Sequence, residues 1–265
     1  MTSTPPPADV SELAALLVDA EAKRAGIAAL TTTCGPFDVR TAYEVQDAVV
    51  AARLRDGATV AGAKLGLTSA AKQRQMHVDQ PLYGWLTDDM ALDVGQPLEC
   101  GRFIQPRCEP EIAFLISRDL AGPQVTAAHV LAATAAVYPA IDVLDSRFAG
   151  YSFTLPDVVA DNASAAGFLL GGQANEPVGL DLRLTGLVLE KNGELVATAA
   201  GGAVLGHPAA AVAWLVRALA RRGRGLAAGQ VVIAGALTEA VPVAPGDTIV
   251  AHFDRLGTVE LACRD

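Results

Sequence analysis

Glu109-Pro110-Glu111-Ile112-Ala113-Phe114-Leu115-Ile116 sets two carboxylates at the head of an unbroken apolar run. The run predicts a strand over 111–117. Residues two apart on a strand share a face, so Glu109 and Glu111 project together while Ile112 and Phe114 line the opposite side. Two like charges beside a core are unfavourable unless a cation neutralises them or one carries a proton. Taken alone, the stretch fits either a strand-end pair bridged to Arg107 or a site for a hard divalent ion. A second stretch, Pro139-Ala140-Ile141-Asp142-Val143-Leu144, shifts the balance toward the ion. An isolated Asp142 among aliphatic neighbours is costly without a partner. Glu109, Glu111 and Asp142 from two strands would leave positions open on an octahedral Mg²⁺ or Mn²⁺ for water or a chelating 2-oxo acid.

Outward from these strands, short apolar stretches broken by Gly, Pro and Asp continue from Thr59 to the C-terminus. They predict further strands at 59–65, 138–144, 183–190, 194–199, 230–234, 247–253 and 258–263. Asn192-Gly193 reads as a hairpin turn and Pro245-Gly246-Asp247 as a second turn. Helices are expected at 126–137, capped by Thr126, and at 208–222, opened by Pro208. N-terminal to this region, Asp9 with Glu12 reads as a capping-box variant leading a helix that runs toward Gly26, and a second helix spans Asp38 to Asp56. Residues 1–8, with three consecutive prolines, read as a tail. The expected organisation is therefore an N-terminal tail and helical wrapper over 1–58, and an α+β catalytic domain on a mixed sheet over 59–265.

Composition narrows the function. The 265 residues carry 20 Lys+Arg against 29 Asp+Glu, a formal net charge of −9 that opposes nucleic-acid binding. The basic run Arg217, Arg221, Arg222 and Arg224 reads as a helix C-terminus complementing the dipole. Cys34, Cys100, Cys108 and Cys263 form no CxxC pair, which points to a reducing, cytoplasmic setting. Neither a signal peptide nor a membrane span is expected.

Lys64 lies in Gly62-Ala63-Lys64-Leu65-Gly66-Leu67-Thr68-Ser69, read as a strand entering a helix capped by Ser69. Between apolar neighbours it binds a substrate carboxylate, transfers protons if desolvated, or snorkels from a sheet edge. The glycines lack phosphate-binding spacing, which argues against a nucleotide cofactor. His77, His129, His207 and His252 are too dispersed for a histidine metal site. Asp145, Ser146, Arg147, Asp157, Asp161, Asn162 and Ser164 form an unusually polar segment in so apolar a chain.

These segments carry a resemblance. Lys64 to Ser69, Pro81-Leu82-Tyr83-Gly84, Glu109 to Phe114, Asp145-Ser146-Arg147, Ala160-Asp161-Asn162-Ala163-Ser164 and Ala203-Val204-Leu205-Gly206 together resemble, in order, the hydratase/decarboxylase family of meta-cleavage aromatic degradation. That family belongs to the fumarylacetoacetate hydrolase superfamily. The resemblance implies a rolled mixed β-sheet core, Mg²⁺ or Mn²⁺ as cofactor, and a small 2-oxo or 2-hydroxydienoic acid as substrate. Hydratases of the family usually carry aspartate where this chain has Leu82. Phe153 to Asn162, Glu190 to Glu194 and Gly206-His207-Pro208 resemble the decarboxylase branch. The implied reaction is decarboxylation of 2-oxohex-3-enedioate to 2-hydroxypenta-2,4-dienoate. The alternatives are hydration of that dienoate, or an inactive structural partner of the hydratase. The resemblance further implies Lys64, Arg147 and Ser164 as catalytic residues, and Leu82, Tyr83, Thr68, Asp161, Asn162 and Thr238 around the substrate. It also implies a homo-oligomer and association with the cognate dienoate hydratase. The family usually has glutamate in place of Asp142, whose side chain is one methylene shorter.

Overall fold

The computed structural model describes residues 9–69, 73–74 and 78–265. Two mixed sheets and a helical N-terminus build the fold. Helix α1 (Val10–Lys23) is capped by Asp9, whose carboxylate accepts from Ser11 N, and it stops at left-handed Arg24, short of Gly26. The one-turn α2 (Leu30–Thr33) and then α3 (Val39–Arg55), capped by Asp38, follow. Leu13, Leu17, Ala42, Val45 and Val49 of these helices pack on Leu82, Phe148 and Val158–Ala163.

The larger sheet runs β2 (Leu82–Thr87), β1 (Val60–Gly66), β10 (Val231–Ile233), β5 (Arg107–Ile116), β6 (Thr134–Leu144), β7 (Ala165–Leu170) and β3 (Ala91–Leu92), with β11 (Val241–Pro242) also on β5. β1 and β10 are parallel, whereas β5 and β6 pair antiparallel over nearly their whole length. The second sheet runs β4 (Leu98–Glu99), β13 (Gly257–Arg264), β12 (Thr248–Phe253), β8 (Gly186–Lys191) and β9 (Glu194–Ala200). The expected hairpin turn is present, with Asn192 and Gly193 both at positive φ between β8 and β9.

Pro110 decides how the site forms. On one side β5 pairs with β11 at residues 107 and 108 and with β10 at residues 113 to 115, leaving the stretch between them without a strand neighbour. A proline there forfeits no ladder bond. The 234–240 loop fills the interruption, donating Leu237 N to Pro110 O and Ala234 N to Ile112 O, each at 3.1 Å. Sheet continuity thus breaks at the position where Glu109 and Glu111 lie.

Several expected boundaries differ. The 126–137 helix is only α4 (Ala127–Ala132), because Thr134 to Val137 join β6 against β5 and sheet pairing outweighs the helix propensity of the alanines. The strand expected at 111–117 begins at Arg107. Strands β2 and β7 and the helix α5 (Leu155–Ala160) had no sequence assignment. The helix capped by Ser69, and His77, fall largely or wholly outside the described residues. Gly201–Ala220 has the length and apolar content of a membrane span. Its helical part, α6 (Pro208–Ala220), nevertheless places Val212, Leu215, Val216 and Leu219 in the main core.

Candidate metal centre and substrate cavity

Glu109 and Asp142 are direct partners across the β5–β6 ladder, and Glu111 lies one step along the same face. A carboxylate oxygen from each lies within 4.8 Å of the others. Glu111 and Asp142 are fully buried and Glu109 is 9% exposed. Glu111 Oε2 accepts from Gly235 N at 2.5 Å, while Oε1 has no hydrogen-bond partner. Burial, followed by the charges of Asp142 and Glu109, pushes the Glu111 carboxyl well above the ordinary carboxylate range. Three hard oxygen donors, one of them an orphaned buried atom, fit a divalent cation of the Mg²⁺ or Mn²⁺ kind.

Gly235 is required here. Its φ is +113°, and a Cβ would come 2.1 Å from Thr68 Oγ1, so only glycine can present this amide to Glu111.

Lys64 reaches the triad from β1. Its ammonium forms an ion pair with Asp142 Oδ2, and both residues are buried. The lysine that sequence left between a substrate contact and a snorkelling edge residue is therefore part of the carboxylate cluster. It brings one positive charge to three acidic groups.

Above the cluster lies a cavity of about 530 Å³, whose wall includes Lys64, Thr68, Leu82, Glu109 and Ser164. Apolar Leu67, Leu144, Phe153 and Val158 face the same space. Ser164 arrives on a costly turn: Asn162, Ala163 and Ser164 all have φ of 50–55°. Such left-handed conformations cost about 1–3 kcal/mol each and persist where surrounding bonds hold them. Asn162 clamps the turn to β2, accepting from Trp85 N at 2.7 Å and donating to Trp85 O at 2.8 Å. Ser164 Oγ donates to Asp161 Oδ2 at 3.1 Å.

Glu111 and Asp142 belong to the carboxylate cluster rather than to the cavity wall, and five further expected site residues also lie outside that wall. Arg147 is buried beneath it, its guanidinium bound to the Asp161 carboxylate and the Ala165 carbonyl. Asp161 and Asn162 brace the Ser164 turn. Tyr83 points away from Leu82, as strand neighbours do, stacks on Tyr43 at 4.6 Å and accepts from Arg222. Thr238 donates to Glu239 O at 3.1 Å, while Ala236, Glu239 and Ala240 of its loop line the cavity. Conversely, Arg107 and Tyr151 line the cavity and were not assigned to the substrate from sequence. The signal for Arg107 was period-two spacing, since it continues the face of Glu109 and Glu111 backward along the strand.

The Arg147–Asp161 pair yields a stability result. Arg147→Met leaves a buried carboxylate without its cation and lowers unfolding free energy by about 3–5 kcal/mol in urea titrations. The double variant Arg147→Met/Asp161→Leu recovers much of that loss. If Arg147→Met unfolds like the wild type, the ion pair is not what holds the turn.

Known proteins share this architecture. A family model for the C-terminal region of fumarylacetoacetate hydrolase matches residues 55–263. A 4-oxalocrotonate decarboxylase of Pseudomonas sp. strain CF600 is 45% identical over 82% of this chain and 83% of its own. A 2-keto-4-pentenoate hydratase of Paraburkholderia xenovorans is 41% identical over 88% of this chain and 87% of its own. The solved 4-oxalocrotonate decarboxylase from Pseudomonas putida G7, complexed with magnesium and adipate, superimposes with a TM-score of 0.93 at 39% identity, covering 96% of this chain and 97% of that one. By matched length, architecture and relatives, the chain belongs to the fumarylacetoacetate hydrolase family.

Proposed function

We propose that this protein is a divalent-metal-dependent 4-oxalocrotonate decarboxylase, converting 2-oxohex-3-enedioate to 2-hydroxypenta-2,4-dienoate and CO₂. The observation that carries the choice of branch is Leu82, an aliphatic side chain on the cavity wall where the resemblance places an aspartate in hydratases. Without that acid the wall offers no candidate there for activating water.

Breaking the C5–C6 bond releases CO₂ and sends the bonding pair through C4 and C3 onto the C2 oxygen. A divalent ion held by Glu109, Glu111 and Asp142 supplies a Lewis acid where that negative charge develops. Lys64 holds Asp142 in place and sets a second positive charge against the cavity floor. Ser164, whose hydroxyl is held by Asp161, shapes the part of the cavity wall that Lys64 also lines. Leu67, Leu82, Phe153 and Val158 exclude water, which strengthens each of these interactions. Arg147, Asp161 and Asn162 act as positioning residues through the Ser164 turn.

We also read residues 1–58 as a wrapper of the catalytic body over 59–265, because the helices share one apolar cluster with Leu82 and Val158–Ala163. A homo-oligomer, a complex with the cognate hydratase and a cytoplasmic location belong to the same reading. Exposed Leu184, Leu195 and Val196, and four free cysteines, support them.

Supplying purified protein and Mg²⁺ with 2-oxohex-3-enedioate and, separately, with 2-hydroxypenta-2,4-dienoate tests the assignment. CO₂ release from the first, with no hydration of the second, is expected. Hydration without CO₂ release would make the protein a hydratase.

A further inference from the structure

Arg107 has a position that neither the metal centre nor the Ser164 turn explains. It lies on the cavity wall, half-buried, on the face of β5 that carries Glu109 and Glu111. Its guanidinium carbon lies 3.8 Å from the centroid of the Tyr151 ring. Among the described residues no carboxylate forms an ion pair with it. Arg147 and Arg222, by contrast, each have an acidic partner.

Tyr151 is built to hold this cation. It sits at φ +56°, a conformation costly for an aromatic residue, directly after Gly150 at φ +64°. Its hydroxyl lies 3.1 Å from Leu144 O and 3.3 Å from Gln105 O, which share its one proton, so the ring is pinned from its far end. Stacking on a ring leaves the edge of a guanidinium, with its fork of N–H donors, free to meet a carboxylate.

We infer that Arg107, stacked on Tyr151, receives the second carboxylate of the substrate and selects dicarboxylates over monocarboxylates. The inference rests on the decarboxylase reading for the identity of the dianion. Spacing supports it: two residues of strand advance about 7 Å, so Arg107 lies beyond Glu109 by a distance of the order of a short diacid. Chemistry supports it as well. One carboxylate of a 2-oxo diacid is taken up at the acidic, metal-binding end. The other must enter a cavity walled by Leu67, Leu82, Phe153 and Val158, where a bare carboxylate is costly without a cation.

The kinetic signature follows from timing. The Arg107 ion pair exists with bound substrate and is lost as the carboxylate becomes neutral CO₂. It therefore strengthens substrate binding without lowering the barrier from the bound state. Hydrogen bonds to a charged group contribute about 1.5–3 kcal/mol, or roughly 10- to 100-fold.

The test compares wild type, Arg107→Met and Arg107→Lys, each saturated with Mg²⁺, in CO₂ release and in binding of adipate against hexanoate. Arg107→Met should raise KM for the diacid about 10- to 100-fold, with kcat unchanged or higher. Wild type should prefer adipate, the preference should vanish in Arg107→Met, and Arg107→Lys should restore part of it. If Arg107→Met does not fold, Arg107→Lys against wild type carries the comparison, with a reduced adipate preference expected. Equal loss of both ligands, an intact adipate preference, or no preference in the wild type overturns the inference. If the wild type releases no CO₂ yet prefers adipate through Arg107, the decarboxylase assignment falls and the carboxylate receptor stands.

Discussion

Glu111→Gln is expected to lower turnover about 10³-fold while leaving the metal-free protein at least as stable as the wild type. The two halves have one cause. In the absence of metal, burial and two neighbouring carboxylates hold the Glu111 carboxyl well above its ordinary range, which favours its protonated form. A glutamine is neutral and of the same shape, so it replaces the protonated acid at little cost. The pH dependence follows in sign. A carboxyl raised in the folded state contributes stability that is fully present below the ordinary glutamate range and is lost as pH rises through the raised value, because the folded state then binds more protons than the unfolded one. Metal-free wild type should therefore lose stability as pH rises above about 4.3, and Glu111→Gln should show a shallower slope. Thermal melts with chelator from pH 5 to pH 8, roughly the window above that glutamate range, read both. With Mg²⁺ the order reverses. The wild type gains melting temperature as the ion displaces the proton, more so at higher pH, and the variant does not. Losing a carboxylate ligand removes several kcal/mol of charge stabilisation, so CO₂ release should fall about 10³-fold. Retained activity with retained metal content would remove Glu111 from the centre.

Lys64→Met should be as damaging to turnover and opposite in its effect on the metal-free protein. Lys64 is the cation paired with Asp142, and both are buried. Removing it strands a carboxylate cluster, at about 3–5 kcal/mol in the absence of metal. Mg²⁺ returns positive charge to the same place, so the variant's melting temperature should depend on Mg²⁺ more steeply than the wild type's. Activity should not return with stability: loss of a preorganised charge beside the developing oxyanion costs about 10²- to 10³-fold. A Lys64→Met protein that melts normally in chelator would show that the Lys64–Asp142 pair is not what neutralises the cluster.

The metal centre was legible in the sequence because each acid violates a local expectation. Glu109 and Glu111 share a strand face beside a core, and Asp142 interrupts an aliphatic strand. What no local pattern carries is register. That Glu109 faces Asp142 follows from the antiparallel β5–β6 ladder, and that Lys64 joins them follows from β1 pairing with β10, nearly 170 residues later in the chain. The same gap explains the residues that were misplaced. Leu82 and Tyr83 were grouped as one wall, but without β2 recognised as a strand their opposite faces were invisible. β2 escaped because Gly84 and Trp85 break any alternation, and β7 because Ala165-Ala166-Gly167 has weak strand propensity. Arg147 attracted a catalytic reading for its charge, whereas its burial with Asp161 depends on a turn of three left-handed residues that no sequence rule anticipates. Arg107 was weighed only as a mate for the glutamates, and Tyr151, the ring that holds it, carries no motif.

The central claim is that Glu109, Glu111 and Asp142 together hold the ion on which a 2-oxo diacid is decarboxylated. A crystal structure of the protein with Mg²⁺ and 2-oxoadipate, a saturated diacid that lacks the double bond through which the electrons must flow, tests it most directly. The account predicts one ion with an oxygen from each of the three carboxylates at about 2.1 Å, the 2-oxo acid filling two further positions, and Lys64 still on Asp142. An ion bound elsewhere, or one that Asp142 does not touch, would contradict it.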